Sequence, residues 1–319
     1  MTHSILRRFT TRMYYKFRYN NPIAEYIKSA TEKHVIAKWK AKVETAAISI
    51  DSCEETIKNI VDNKKSISRF GDGELRLLRP GEQLYFQDRD ELMVSKLREA
   101  LNSNLPNLII GLNEGIIQEN GLLKQKVKNW WIVYLKDHGL QLIDLLPKNR
   151  RYGNANITRF YIDYTDSQYS LRISEMLKNI WNRKDILIVE GEFSRLGVGN
   201  DLFENARSLH RILCPVKNAF SRYDEILEAC KEYGKEKLLI LALGPTATVL
   251  AYDLAKEHYW ALDMGHVDVE YMWMKMRATG RVSLRGKAVA ESKDRDSADY
   301  SLSKSDQQEY NSSIVKRIL

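Results

Sequence analysis

The sequence lacks the features that mark secreted and membrane-spanning proteins. It contains three cysteines in 319 residues, Cys53, Cys214 and Cys230, too few and too far apart for a disulfide framework or a four-thiolate zinc site. No uninterrupted apolar stretch approaches the roughly 18 residues of a membrane-spanning helix, and the N-terminal segment lacks the apolar centre of a signal peptide. Since 44% of the residues are hydrophobic and the mean hydropathy is −0.44, a disordered chain is also excluded. We expect a cytoplasmic globular protein.

Outside its N-terminal segment the chain has no net charge. Residues 1–42 contain ten Lys or Arg and two Glu, so they carry the whole formal charge of +8. Aromatic residues such as Tyr14, Tyr15 and Trp39 alternate with the basic ones. The segment could be an arm that packs on the body, or a peripheral contact with the anionic inner face of a membrane. No nucleic-acid partner is expected, because no nucleic-acid-binding motif accompanies the charge.

Alternating helices and apolar strands follow the basic segment. Ser66–Phe70, Leu108–Leu112 and four runs between residues 185 and 264 have the length and apolar composition of buried strands. Such strands, separated by helices, predict an α/β fold with a mostly parallel, Rossmann-like sheet covered on both faces. Two of the predicted helices span residues 119–138 and 201–209. We expect a basic, partly helical extension over 1–50, an α/β domain over 51–290 and a polar tail over 291–319.

Ligands of parallel sheets bind beyond the carboxyl ends of the strands, so the residues that follow each strand are candidates. Asp72 and Glu74 follow the strand Ser66–Phe70 and are flanked by glycines. In an extended chain both carboxylates would project to one side and could hold Mg²⁺ or Mn²⁺ together with phosphate oxygens. The alternative is a turn in which Asp72 caps the next helix. Arg69, Phe70 and Gly71 are candidate contacts to the bound ligand.

Loops after three further strands resemble phosphate-binding loops. Residues 191–200 contain three glycines, whose backbone amides could surround a phosphate, and Arg195 would add a fixed positive charge. Gly244 and Pro245 start a helix whose positive end faces the same edge. Each of these loops could equally be a structural connection. The candidate phosphate contacts are Arg195, Gly197, Gly199, Asn200, Lys217, Asn218, Gly244, Pro245 and Thr246.

A fourth polar segment follows the strand at 260–264. His266, Asp268 and Glu270 alternate with valines, so an extended chain would place all three on one face. They could serve as metal ligands or general bases, or form a solvated strand face. Together the four junctions indicate a metal-dependent enzyme that acts on a phosphorylated or nucleotide-linked small molecule.

The chain resembles the bacterial GT-D-fold glycosyltransferases over roughly residues 60–275. The resemblance implies a Rossmann-like nucleotide-binding fold, with a metal-binding Asp-x-Glu signature at Asp72 and Glu74. It also implies a UDP-sugar donor, UDP-glucose being the best-known case, and a growing glycan on a protein or polysaccharide as acceptor. The blocks that carry it are SRFGDGE (68–74), VEGEFSRLGVGNDLF (189–203), CPVKNAF (214–220), LALGPTATVLAYDL (241–254) and DMGHVDVEY (263–271).

Glycosyl transfer from a UDP-sugar fits these residues. A divalent cation would neutralise the departing diphosphate, assisted by Arg195 and the amides of the glycine-rich loop. If the sugar's configuration inverts, Asp268, Glu270 or Glu192 could deprotonate the acceptor hydroxyl. Two alternatives stay open: a metal-dependent phosphohydrolase of a nucleotide or sugar phosphate, and a non-catalytic nucleotide-sugar-binding protein.

Overall fold

A computed structural model describes residues 22–117, 121–289 and 299–319, with side chains from residue 33 onward. Its strands form one nine-stranded sheet in the order β1-β4-β3-β2-β8-β7-β5-β6-β9, and every neighbouring pair is parallel. This confirms the predicted fold class. The strands are β1 (Ile48–Ile50), β2 (Ser66–Phe70), β3 (Leu108–Leu112), β4 (Arg150–Asn154), β5 (Asp185–Gly191), β6 (Ser208–Cys214), β7 (Leu238–Ala242), β8 (Trp260–Asp263) and β9 (Ile314–Arg317).

Helices cover both faces of the sheet. In β5, Leu187 and Val189 enter one apolar core, while Ile186 and Ile188 enter a second core on the opposite face. Strands with two buried faces explain why the sequence is apolar throughout these runs. The helices are α1 (Pro22–Thr45), α2 (Cys53–Asn63), α3 (Asp72–Leu77), α4 (Glu91–Asn102), α5 (Gln125–Leu145), α6 (Ser167–Trp181), α7 (Tyr223–Gly234), α8 (Pro245–Lys256), α9 (Val267–Lys275) and α10 (Lys304–Ser313).

The strand order places a topological switch point between β2 and β8. The first four strands of the chain lie on one side of this point, and the last five lie on the other. The connections leaving the carboxyl ends of β2 and β8 therefore run in opposite directions and open a crevice, which is where open α/β sheets bind their ligands. The segments that follow these two strands include Asp72 and His266.

The N-terminal extension is joined to the sheet, so the boundary predicted at residue 50 is wrong. β1 pairs with β4, α1 buries Trp39 and Val43 in the core, and Ala46, just after the helix, is buried there too. The indole N–H of Trp39 donates to the Ile116 carbonyl. The described part of the arm thus packs on the body, as one of the two interpretations predicted. The rest of the predicted membrane contact, over residues 1–21 and the side chains of 22–32, lies outside the described residues.

The polar C-terminal segment also belongs to the sheet. β9 pairs in parallel with β6, and the Ile318 amide donates to the Leu213 carbonyl at 2.7 Å. The segment expected to be a helix or a polar tail over 291–319 thus contains the helix α10, and the strand β9 was not expected. Within the described ranges, no helix has the length and apolarity needed to cross a membrane.

Two predicted helices differ from the observed structure. The helix expected over 119–138 starts later and ends later, at Gln125–Leu145. The helix expected over 201–209 is replaced by turns, because strand β6 begins at Ser208 and needs those residues for pairing with β5.

Candidate active site

Arg69 crosslinks the segments that meet at the switch point. Its guanidinium donates to the carbonyl and carboxylate of Asp263, at 2.6 and 2.8 Å, and to the Gly265 carbonyl at 3.1 Å. Its remaining N–H groups donate to the Ala155 carbonyl and the Thr158 hydroxyl. All five guanidinium donors are thus used within the protein. Arg69 has a positioning role in this structure and does not face a ligand as predicted.

Asp72 and Glu74 lie in the first turn of the short helix α3 and not in an extended chain. Residues two apart on a helix point in different directions, so the predicted one-sided pair is wrong. The Glu74 carboxylate turns back and accepts a hydrogen bond from the Gly71 amide at 2.9 Å. Asp72 is exposed and forms no hydrogen bond or ion pair with any described residue. Phe70 is fully buried in the core, which excludes the predicted ligand contact for its side chain.

The carboxylates at this edge repel one another. The pKa of Glu74 is raised to about 7, mainly by burial and further by the nearby Asp263 carboxylate. A divalent cation would relieve this repulsion and favour the ionised form of Glu74. Asp72 adds an exposed carboxylate in the same helical turn as Glu74, and carboxylates together with phosphate oxygens and water are the ligands that such a cation takes. Among the described residues, no group of three or more acidic, His or Cys side chains forms a ready-made metal cage.

His266 follows β8 and stands at the N-terminus of helix α9 with a positive φ of 75°. Its Nε2 atom lies 3.1 Å from the guanidinium of Arg159, and both side chains are half-buried. Arg159 follows the turn that leads from the end of β4 to the Arg69 side chain. The sequence analysis did not identify Arg159. The positively charged guanidinium of Arg159 therefore lies beside His266, whose segment follows β8, the strand that pairs with β2.

Asp268 holds the glycine-rich loop in place. It is 2% exposed, and its carboxylate accepts from the Gly197 amide at 2.8 Å and the Asn200 side chain at 2.7 Å. Its second oxygen pairs with Lys287, which is itself 3% exposed, at 2.5 Å. The Gly197 amide and the Asn200 side chain predicted to bind phosphate are therefore occupied, and Asp268 has no oxygen left to act as a base.

The side chain of Arg195 also points into the interior of the protein. Its guanidinium donates to the carbonyls of Gly286 and Tyr300, at 2.8 and 2.7 Å, and packs between the rings of Phe193 and Tyr310. The Arg195 side chain therefore points away from the predicted phosphate contact, although its buried Nε atom has no hydrogen-bond partner among the residues that the structure describes. Gly199 is exposed at a φ of 71°, a turn position that favours glycine.

The strand beneath this loop contains a second buried ion pair. Glu190, at the end of β5, pairs with Arg211 and accepts from the Leu196 amide at 2.7 Å. Glu192 is half-buried and pairs with Arg317 at 3.3 Å. The loop 191–200 therefore has a structural role: its contacts connect β5 to α9 and to the C-terminal segment.

Glu270 lies on the same helix as Asp268 but points elsewhere. One of its oxygens accepts from the amides of Tyr161 and Ile162, at 2.9 and 2.8 Å. The other oxygen is buried and has no hydrogen-bond partner. Burial raises the pKa of Glu270 to about 7. The prediction that His266, Asp268 and Glu270 share one face is wrong, because the segment is a helix from Val267 and not a strand.

Helix α8 starts at Pro245, as predicted, and its exposed N-cap Gly244 has a positive φ of 56°. A Cβ atom at Gly244 would lie 2.5 Å from the Phe86 ring, so this position requires glycine. Pro245 and Thr246 are buried, and the Thr246 hydroxyl donates to the Gln87 side chain at 3.3 Å. At this helix N-terminus, the exposed backbone of Gly244 is the part that a ligand could contact.

A loop that the sequence analysis did not identify covers this edge of the sheet. The Asn218 side chain hydrogen-bonds the backbone and carboxylate of Asp88, both at 2.7 Å. Lys217 is exposed, and its ammonium lies 4.4 Å from the centre of the exposed Tyr85 ring. The loop 84–88 therefore bridges α3 and the ends of β6 and β7, and Lys217, which also donates to the Tyr85 hydroxyl, is an exposed basic group there.

The structure thus separates the predicted site residues into two groups. Asp72, Glu74 and His266 lie in the segments that follow the adjacent strands β2 and β8 at the switch point, Gly71 is hydrogen-bonded to Glu74, and Gly199, Lys217 and Gly244 are exposed. The remaining predicted residues are engaged by the protein itself; they are Arg69, Phe70, Arg195, Gly197, Asn200, Asn218, Pro245, Thr246, Asp268, Glu270 and Glu192.

The parallel sheet with its central switch point defines a Rossmann-like class of architecture. The family model described as glycosyltransferase GT-D fold matches residues 67–292. The chain therefore belongs to the GT-D-fold glycosyltransferase family.

Curated relatives and solved structures agree with this assignment. The chain is 38% identical over 276 residues to glycosyltransferase GlyD of Streptococcus pneumoniae, and 39% identical over 284 residues to the probable glycosyl transferase Gly of Streptococcus gordonii. These matches cover 85% and 87% of this chain but 33% and 40% of the relatives, so the chain spans well under half of their length.

Two solved structures have the same fold. A domain of unknown function 1792, described as having a distinct glycosyltransferase fold, matches with a TM-score of 0.82 at 36% identity, over 89% of this chain and all of that domain. A glycosyltransferase of the same domain family from Streptococcus sanguinis matches with a TM-score of 0.78 at 36% identity, over 85% of this chain and all of that one.

Proposed function

We propose that the protein transfers a hexose, such as glucose, from a UDP-sugar to a glycan acceptor in glycoprotein or surface-polysaccharide synthesis, with Mn²⁺ or Mg²⁺ as cofactor. Membership of the GT-D family supports sugar transfer. The observation that carries the donor and metal assignment is the exposed, unpaired Asp72 beside Glu74 at the switch point of the sheet.

In this proposal Asp72 and Glu74 hold the cation, and His266, after the neighbouring strand β8, faces the diphosphate together with Arg159, which lies beside it. The cation supplies Lewis-acid stabilisation of the departing diphosphate. Arg159 supplies a permanently charged donor whose interaction strengthens as negative charge develops on the leaving group. His266 orients this guanidinium through their 3.1 Å contact.

The three carboxylates predicted as acceptor bases are poorly suited to that role. Asp268 and Glu270 are buried in structural hydrogen bonds. Glu192 follows β5, three strands away from β2, which corresponds to roughly 14 Å at the usual strand spacing. We therefore assign the acceptor-activating role to none of them.

Calorimetric titration of UDP-glucose, with Mn²⁺ and with chelator, tests the donor and metal assignment. We expect metal-dependent binding in the parent protein and at least about a tenfold weaker metal-dependent affinity in Asp72→Asn. Asp62→Asn is the matched control, because Asp62 is an exposed acid on α2, before the strand that leads to the site. Equal affinity in the parent and Asp72→Asn would contradict the assignment.

Product analysis separates sugar transfer from the two alternatives. Release of UDP together with a glycosylated acceptor supports the transferase. Release of orthophosphate would indicate a phosphohydrolase, and saturable binding without turnover across a broad acceptor panel would indicate a non-catalytic nucleotide-sugar-binding protein.

A further inference from the structure

A row of aromatic rings lines the solvent side of helix α5. Trp130 and Tyr134, one helical turn apart, stack with their centroids 5.3 Å apart and their planes at 19°. His138 continues the row, with its ring 5.1 Å from that of Tyr134. Tyr134 and His138 are half-buried, whereas Trp130 is 47% exposed although one of its faces is covered by Tyr134. Much of the second face of the indole therefore meets solvent.

The buried Trp131 holds these rings in a fixed orientation. It meets Trp130 and Tyr134 edge-on, at centroid distances of 5.0 and 5.2 Å. Its own ring packs against Gly115 so closely that a Cβ atom there would lie 2.1 Å from the indole. A side chain at position 115 would displace Trp131. The exposed rings therefore rest on a rigid base, which lowers the entropic cost of binding a ligand to them.

The row borders the segment that carries the proposed metal ligands. The guanidinium of Arg79, which follows helix α3, lies 5.9 Å from the centre of the Tyr134 ring. Arg76 and Arg79 both pair with Glu82, and His138 lies near that same carboxylate. Asp72 lies within electrostatic range of the Tyr134 hydroxyl. The aromatic rings and Asp72 therefore border the same surface of the protein.

We propose that Trp130 and Tyr134 form a stacking platform for a sugar ring of the acceptor glycan. This proposal rests on the proposed function, because it assigns the acceptor to the surface beside Asp72. The platform adds a binding site to the donor site and does not depend on any of the residues that contact the donor.

The chemistry of the surface favours a sugar over an apolar partner. A sugar ring presents an apolar C–H face, which can lie on the indole, and a rim of hydroxyl groups that need hydrogen-bond partners. The charged side chains around the platform, Arg76, Arg79 and Glu82, supply such partners. A lipid or an apolar protein surface would strip water from these charges without replacing their hydrogen bonds, which is costly.

Saturation-transfer NMR with maltotriose, cellotriose and chitotriose tests the platform. We expect at least one of these trisaccharides to bind the full chain, and its affinity to fall about tenfold or more in Trp130→Ala. Trp130→Phe keeps an aromatic face and should retain affinity within roughly threefold of the parent. Leu140→Ala is the matched control, because Leu140 is 61% exposed on the same helix but is not part of the row. It should bind like the parent.

Two outcomes would overturn the platform: binding of none of the three sugars by the parent, or unchanged binding in Trp130→Ala. Calorimetry of UDP-glucose with Mn²⁺ on the same variants keeps this result separate from the proposed function. We expect Trp130→Ala to bind the donor like the parent. Sugar binding that depends on Trp130 in a protein without donor affinity would leave the platform standing and remove the donor assignment.

Discussion

Two segments at the same edge of the sheet use their polar groups in opposite ways. In loop 191–200 the Gly197 amide, the Asn200 side chain and one terminal nitrogen of the Arg195 guanidinium contact other parts of the protein, while the buried Arg195 Nε has no hydrogen-bond partner in the described part of the chain. In the segment 72–82, by contrast, Asp72 has no hydrogen-bond or ion-pair partner among the described residues, and Glu74 lies in a field of like charge. Both segments combine glycines with charged residues, so the sequence makes them look alike.

The comparison shows that a glycine-rich loop after a strand is explained by a tight structural connection more readily than by a phosphate-binding site. The loop 191–200 is held by two buried ion pairs, Glu190 with Arg211 and Asp268 with Lys287. Burying a charge is costly unless it is paired, so these residues are committed to the fold. The polar groups that no other residue satisfies are the better guide to a ligand.

The largest expected effect is the loss of stability in Asp268→Ala. The substitution leaves the Lys287 ammonium and the Gly197 amide buried without partners, for which we expect about 3–5 kcal/mol lower free energy of unfolding. Urea denaturation followed by circular dichroism measures this value.

The double variant Asp268→Ala/Lys287→Met provides the control for that prediction. It removes the unpaired charge, so it should be more stable than the single variant by at least about 1 kcal/mol. If Asp268→Ala instead unfolds at the same urea concentration as the parent, the glycine-rich loop is not held by this carboxylate, and its amides are available to a ligand.

The central fold could be predicted from local sequence patterns. Strands buried on both faces show as apolar runs, and the Ser52–Glu55 capping box marks the start of α2. Strands β1, β4 and β9 were missed, because short segments of mixed polarity contain no local signal, and their pairing joins distant parts of the chain. Helix α9 was mistaken for a strand, although Val267, Tyr271 and Met274 recur at helical spacing and pack in one core.

The candidate site could be predicted less completely than the fold. Asp72, Glu74 and His266 follow adjacent strands, so the rule for parallel sheets brings them together. The partners that remove Asp268 and Arg195 from the site lie 19 residues or more away along the chain, at Lys287, Gly286 and Tyr300. No local pattern predicts such contacts.

A smaller effect, dependent on pH, is expected from Glu270→Gln. Burial raises the pKa of Glu270 from 4.5 to about 7 in the folded protein. The protonated form of Glu270 therefore stabilises the folded protein fully below about pH 4.5, and this stabilisation is lost as the pH rises through about 7. The amide of Gln is always neutral and can still accept from the backbone amides of Tyr161 and Ile162.

The variant should consequently be more stable than the parent at pH 8, by about 1–3 kcal/mol, and nearly equal to it at pH 5. Guanidinium denaturation of both proteins at the two pH values measures the difference. A stability difference that is the same at pH 5 and pH 8 would show that Glu270 does not titrate in this range.

The smallest stability change is expected from Asp72→Asn, measured without metal. Asp72 is exposed and unpaired, and as the first residue of a six-residue helix it contributes at most a few tenths of a kcal/mol through its charge at the helix N-terminus. We therefore expect the free energy of unfolding to change by no more than about 0.5 kcal/mol, whereas metal-dependent donor binding is lost. An acid that faces a ligand should be dispensable for folding but needed for binding. Asp268 should be needed for folding instead. A loss above about 1 kcal/mol in Asp72→Asn would place Asp72 among the residues committed to the fold and remove the contrast between the two segments.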